Sequence, residues 1–178
     1  MATLISGSTG VDKIQDGTIV NADIASGAAI AGSKLVMPTG SVLQVVSSVF
    51  NSDVSTTSTS FTDTGHSVNI TPISTSNKVL IQVSGGGMGI SLNGGVVMVD
   101  IYRGSTSLST TAVGLGVLYG ASGGSIFGNH AMSFLDSPSS TSQVTYKIYY
   151  RSNHSSNTAY YHWSDKGKVV MTVTEIAG

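Results

Sequence analysis

Apolar positions along the chain follow two rhythms. In "KIQDGTIVNADIASGAAIAGSKL", residues 13 to 35, Ile14, Ile19, Ile24, Ile30 and Leu35 fall five, five, six and five apart. A helix needs steps of three and four, and a half-buried strand needs steps of two. Neither fits. After Pro38 the step becomes two: Val79, Ile81 and Val83 share one face of an extended segment, as do Val97, Val99 and Ile101, and Tyr146, Ile148 and Tyr150. Lys147, Tyr149 and Arg151 stand on the opposite face of the last of these.

This alternation predicts strands over 41–47, 67–71, 78–84, 96–102, 131–136, 143–151, 158–163 and 168–176, with shorter pieces near Phe61 and over 113–119. Many short strands with turn-rich connections and no helical pattern predict an all-β sandwich, most simply a jelly roll. Two domains follow: an extended arm or short stem over 1–38 and the sandwich over 39–178. The expected core includes Val79, Ile81, Val83, Val99, Ile101, Ile148, Val169, Met171 and Val173.

Composition changes the picture at one point. Charged residues make up only 10% of the chain, against about a quarter in an ordinary globular domain. Ser and Thr take their place, 30 and 19 residues respectively. Such a surface is expected to be partly buried in an assembly. A net charge of −1 with no basic cluster argues against a nucleic-acid partner. The absence of cysteine removes disulfides and thiolate metal sites. The opening residues show no secretory pattern, and no apolar run is long enough for a membrane-spanning helix. Synthesis in a cytoplasm without membrane insertion is therefore expected.

Chemistry-bearing motifs are sparse. The Asp63-Thr64-Gly65 triplet matches the aspartic-protease signature, but that chemistry needs two carboxylates sharing a proton, and a turn between strands explains it more simply. His66, His130, His154 and His162 lack metal-ligand spacing. No nucleophile-elbow pattern occurs, and the carboxylates are too dispersed to nominate a glycosidase pair. Asp136, before Pro138, reads as a turn cap. The Gly-rich stretches 84–95 and 120–129 precede no helix, so they read as connections rather than phosphate cradles. No catalytic residue, metal or cofactor is expected, and the protein is not expected to be an enzyme. The run "YKIYYRSNHSSNTAYYHW" predicts aromatics divided between core or subunit seam and outside.

The segments "GSVLQVVSS", "STSFTDTGHSVNITPISTSNKVLIQVSG", "VDIYRGST", "SFLDSPSSTSQVTYKIYYRSN" and "VTEIAG" occur in this order. Together they closely resemble a domain at the C-terminus of many tailed-bacteriophage fibre and appendage proteins, marine phages especially. "DGTIVNADIASGAAIAGSKL" resembles a stalk repeat of such fibres, present here in essentially one copy. The resemblance implies a protein of the virion surface. It also implies a jelly roll of tumour-necrosis-factor type that trimerises about a three-fold axis.

These readings converge on a homotrimeric capsid decoration or head-fibre protein. Ile14, Ile19, Ile24, Ile30 and Leu35 are expected to anchor it to the major capsid protein or to a tail or portal-proximal virion protein. The alternative is a short tail fibre or fibre tip that binds host surface glycans. Tyr149, Arg151, Tyr161 and Trp163 are the candidate glycan or partner contacts.

Overall fold

The computed structural model describes residues 35–91, 94–120 and 124–178, together with 22, 24 and 26–28. The chain divides into two compact units, Met1–Val36 and Met37–Gly178. In the first, Ile24, Leu35 and Val36 are exposed. Ile14, Ile19 and Ile30 of the expected anchor lie outside the described residues.

The second unit is all β. Its strands are β1 (Val42–Phe50), β2 (Val54–Thr56), β3 (Thr62–Ile70), β4 (Lys78–Ile90), β5 (Val96–Arg103) and β6 (Thr106–Ser107). β7 (Gly116–Tyr119), β8 (Ile126–Asp136), β9 (Val144–Ser152), β10 (Ala159–His162) and β11 (Val169–Ile176) follow. One single-turn 3-10 segment, Ser164–Lys166, joins β10 to β11.

All pairings are antiparallel and form two sheets. In the first sheet β1, β11, β4 and β8 lie side by side, and β10 and β2 extend it along the far end of β4. In the second, β3, β9 and β5 are neighbours, and β6 and β7 both pair with β5. The sheets pack face to face as a β-sandwich. Between them lie Val79, Ile81 and Val83 of β4, Val97, Val99 and Ile101 of β5, Tyr146, Ile148 and Tyr150 of β9, and Val169, Met171 and Val173 of β11. Every core position expected from the alternation is buried.

Three local readings need correction. Residues 84–90 are not a connection: β4 runs through Gly85, Gly86, Gly87 and Gly89 to Ile90. A β-carbon at Gly85 or Gly86 would collide with the carbonyls of Lys168 or Lys166, so these glycines let the β10–β11 connection cross close above the strand. Residues 126–129 likewise belong to β8. The Asp63-Thr64-Gly65 triplet lies within β3 at a break in its register with β9, not between strands. Gly65 takes φ +80 there, and its N–H donates to Asp63 Oδ1 at 2.8 Å. Asp136 caps no turn. It is buried, accepts from Arg103 Nη1 at 2.9 Å and from the Tyr146 hydroxyl at 2.7 Å, and so ties β8 to the opposite sheet.

Candidate functional site

With side chains alternating across each strand, the register fixes what each sheet turns outward. On the first sheet, Val45 pairs with Thr174, Thr174 with Leu80, and Leu80 with Leu135. A second row is Ser47, Thr172, Gln82 and Ser133, and a third is Val49, Val170, Ser84 and Ala131. These twelve positions contain no charged residue. Val45, Val49 and Leu135 are 58%, 57% and 48% exposed. Lys78, at the start of β4, and Lys168, just before β11, flank the rows at their two ends.

The second sheet turns out a different set. Arg151 pairs with Met98 and Met98 with Val117; Asp63 pairs with Tyr149 and Tyr149 with Asp100; Ser67 pairs with Lys147 and Lys147 with Tyr102. Lys147 Nζ donates to Asp63 Oδ2 at 2.8 Å, and this partner raises the pKa of the ammonium. The rings of Tyr102 and Tyr149 stack at 3.9 Å between centroids, 20° from parallel. Phe61 lies 6.1 Å from Tyr102, and the Arg151 guanidinium sits 5.3 Å above the Phe61 ring.

Phe61, Tyr102 and Arg151 border an open cleft of about 710 Å³ between the segment around Phe61 and the loop 107–112. Asp100 explains the form of that loop. It lies on the outer side of the sheet yet is fully buried, because Ser107 and Ser109 fold over it and donate to Oδ2 at 2.6 and 2.9 Å. The Ile101 N–H donates to its other oxygen. Burial first, then the negative charge of Asp100 and the neighbouring Tyr149, raises the Tyr102 phenol above its ordinary pKa.

The four proposed contact residues do not form one site. Tyr149 and Arg151 stand on the outer face of the second sheet, as the alternation predicts. Tyr161 is fully buried, its hydroxyl 2.8 Å from His66 Nδ1, and presents no surface to a ligand. A register shift between Tyr160 and His162 breaks the two-residue step that would put Tyr161 and Trp163 on the same face. Trp163 is 37% exposed and packs on Tyr160 and Phe127, beside a pocket of about 300 Å³ that Asp53 also lines.

Tyr161 belongs to a buried polar group at this end of the sandwich. His66 stacks on Phe50 and lies 3.0 Å from Ser48 Oγ, while His130 meets the edge of Tyr161. His162 Nε2 lies 2.5 Å from the Gly167 carbonyl, and its Nδ1 is 3.6 Å from Asp53. Burial lowers His66 to about 4, with a Ser48 contact opposing and His162 adding to the shift. Burial, then the charge of His66, lowers His130 to about 4. Burial raises the Tyr161 phenol, which stays a neutral donor.

Among the described residues no three His, Asp or Glu side chains are grouped so as to hold a metal ion. No helix among them is long and apolar enough to cross a membrane. No protein-family model matches the chain, and no curated protein sequence matches it. Sequence reasoning missed Phe61 and Tyr102 as surface aromatics. The available signal was Asp100, a carboxylate inside the apolar run "VVMVDIY".

Proposed function

We propose that the chain is a structural protein of a tailed-bacteriophage particle, a homotrimer that decorates the capsid or forms a head fibre. The observation that carries this reading is the outer face of the first sheet, three uncharged rows across four strands. An outer face built of valine, leucine, threonine and serine is poorly suited to isolation in water and well suited to a subunit seam, where charged residues are depleted. The twelve positions span roughly 400 Å² at ordinary strand spacing. That is about half of one partner's share in a standard interface, so the seam extends onto flanking residues such as Val42 and Ile176.

The strand order supports a jelly roll of tumour-necrosis-factor type. Both sheets have four strand positions, β1, β11, β4 and β8 in one and β3, β9, β5 and β7 in the other, with consecutive strands often on opposite sheets. The opening residues, with Ile24 and Leu35 exposed, serve as the attachment segment to the major capsid protein or to a tail or portal-proximal protein. Residues 37–178 form their own compact unit, which fits this division of labour.

Two measurements test the reading. Sedimentation at low micromolar concentration is expected to give one trimeric species, and a clean monomer overturns the assembly. Quantitative mass spectrometry of purified particles is expected to find many tens of copies in a symmetric array. About a dozen copies would favour the second reading, a short tail fibre or fibre tip that binds host glycans. The open aromatic cleft of the second sheet is what favours that alternative.

A further inference from the structure

The cleft on the second sheet has the parts of a ligand site in an arrangement the chain prepares in advance. Its volume, about 710 Å³, falls in the range of small-ligand sites. Its aromatic surface is built from two segments distant in sequence. Tyr102 is braced from behind by Tyr149 at 3.9 Å, and Phe61 stands beside it at 57°. A ring of this kind receives the C–H face of a sugar, because the aromatic face is weakly negative and the polar tip remains wet.

Ser107, Thr110 and Thr111 line the opposite rim. That rim is held by Asp100 beneath it, and Thr110 adopts φ 54, a left-handed conformation unusual for threonine. Backbone strain of this sort persists only where surrounding contacts enforce it. Here the contacts run from Ser107 and Ser109 to the buried carboxylate.

Arg151 decides the class of ligand. Its Nη1 donates to the Thr59 carbonyl at 3.1 Å and its Nη2 to the Ala112 carbonyl at 2.6 Å, so it spans the two walls of the cleft. The guanidinium has five N–H donors, and these two bonds leave donors to spare. Among the described residues no carboxylate pairs with it: Asp63 is paired with Lys147, and Asp100 is engaged by Ser107 and Ser109. A fixed, uncompensated guanidinium next to a stacking ring recognises an anionic group carried on a flat apolar body. A single cation is too little for a nucleic-acid strand.

We infer that this cleft binds an acidic saccharide, its sugar ring on Tyr102 beside Phe61, its acid group on Arg151, and its hydroxyls against the rim formed by Ser107, Thr110 and Thr111. The inference deepens the glycan-binding alternative by giving it a site and a ligand class. It rests on the surface-protein reading for its biological partner alone, since binding is a property of the chain.

The experiment uses the full 178-residue chain. Trigalacturonic acid and its methyl ester form one probe pair, and sialyllactose and lactose form another. Binding is followed by ligand-observed NMR at millimolar concentration, with a broader array of uronate-, sialate- and ulosonate-bearing saccharides as the screen. At least one acidic probe is expected to bind, and its neutral counterpart to bind about tenfold more weakly or worse. This comparison changes the ligand and leaves the protein untouched, so misfolding does not enter. Tyr102→Leu and Arg151→Gln, each checked by circular dichroism, are expected to lose binding by a similar factor, while Trp163→Ala retains it. Equal binding of acidic and neutral partners, loss through Trp163→Ala instead, or no retention of any acidic saccharide each overturns the inference. If the chain binds acidic saccharide but is absent from purified particles, the surface-protein reading fails and the cleft stands.

Discussion

The two outer faces of one sandwich are built on the same scaffold and carry opposite chemistry. Inward, β4 and β11 of the first sheet and β5 and β9 of the second place valine, isoleucine, methionine and tyrosine at every second position and bury them. Outward, the first sheet sets Val45, Leu80 and Leu135 in one row, with Thr174 between. The second sets Asp63, Lys147, Arg151 and a stacked pair of tyrosines on strands of similar length. Strand pairing and core packing are satisfied in both cases, so neither requires the difference. An outward position is constrained by what it meets, and on the reading proposed above the two faces meet different things. Protein contacts suit the first, and a small polar ligand with a charge suits the second.

The largest expected effect comes from giving the first face a charge. Leu80→Glu places a carboxylate within the proposed seam. Burying it unpaired costs about 3–5 kcal/mol, enough to dissociate a trimer at micromolar concentration. The matching change on the second face, Val117→Glu, is expected to leave the sedimentation profile as it was. Equal behaviour of the two variants would erase the distinction between the faces. A core change acts on both faces at once: Ile81→Ala is expected to destabilise the fold by about 2–5 kcal/mol, measured by denaturant unfolding.

Acid is expected to act between these extremes. His66 and His130 are buried neutral, with folded pKa values of about 4 against an ordinary 6.5. Between those values the unfolded chain binds more protons than the folded one. Stability is therefore full above about pH 6.5 and is lost as pH falls towards 4, by on the order of 3 kcal/mol per imidazole at most. The ring nitrogens of His130 have no hydrogen-bond partner among the described residues. His130→Phe keeps the aromatic packing on Tyr161 and is expected to flatten part of this acid limb. An unfolding midpoint equally pH-dependent in the variant would assign the effect elsewhere.

How much of this was readable in the sequence depends on whether a side chain carried the signal. Val79, Ile81 and Val83 announced β4 because their alternation is visible, and β4 was cut short at Ser84 because glycine has no side chain to alternate. Tyr149 and Arg151 were assigned to the outer face by parity, and their strand keeps that parity through Ser152. Tyr161 keeps parity with buried Ala159 and turns inward, and the one-residue irregularity in β10 then separates Trp163 from that face. A bulge depends on the partner strand as well as on the local residues. The cleft was invisible for a related reason: Phe61, Tyr102 and Arg151 are brought together by β3, β5 and β9. Nothing in their spacing says that the loop after β6 will close over Asp100.

The smallest expected effect tests whether polar ties between the sheets rival the apolar layer. Asp136 of β8 receives the Tyr146 hydroxyl at 2.7 Å and the Arg103 guanidinium at 2.9 Å, both from the opposite sheet. Burial, then the bond to Asp136, raises the Tyr146 phenol, so the hydroxyl remains a donor at any ordinary pH. Tyr146→Phe removes that bond without changing the ring. Asp136 keeps Arg103 as a partner, so the carboxylate is not stranded and the loss is expected to be about 1 kcal/mol, the net worth of one hydrogen bond. Arg103→Met in the same background removes the remaining partner of a buried charge and is expected to cost more than the two single changes added together. Additive losses in this cycle would mean that the two bonds act independently. Each bond would then hold the two sheets together on its own account, and loss of one would leave the contribution of the other intact.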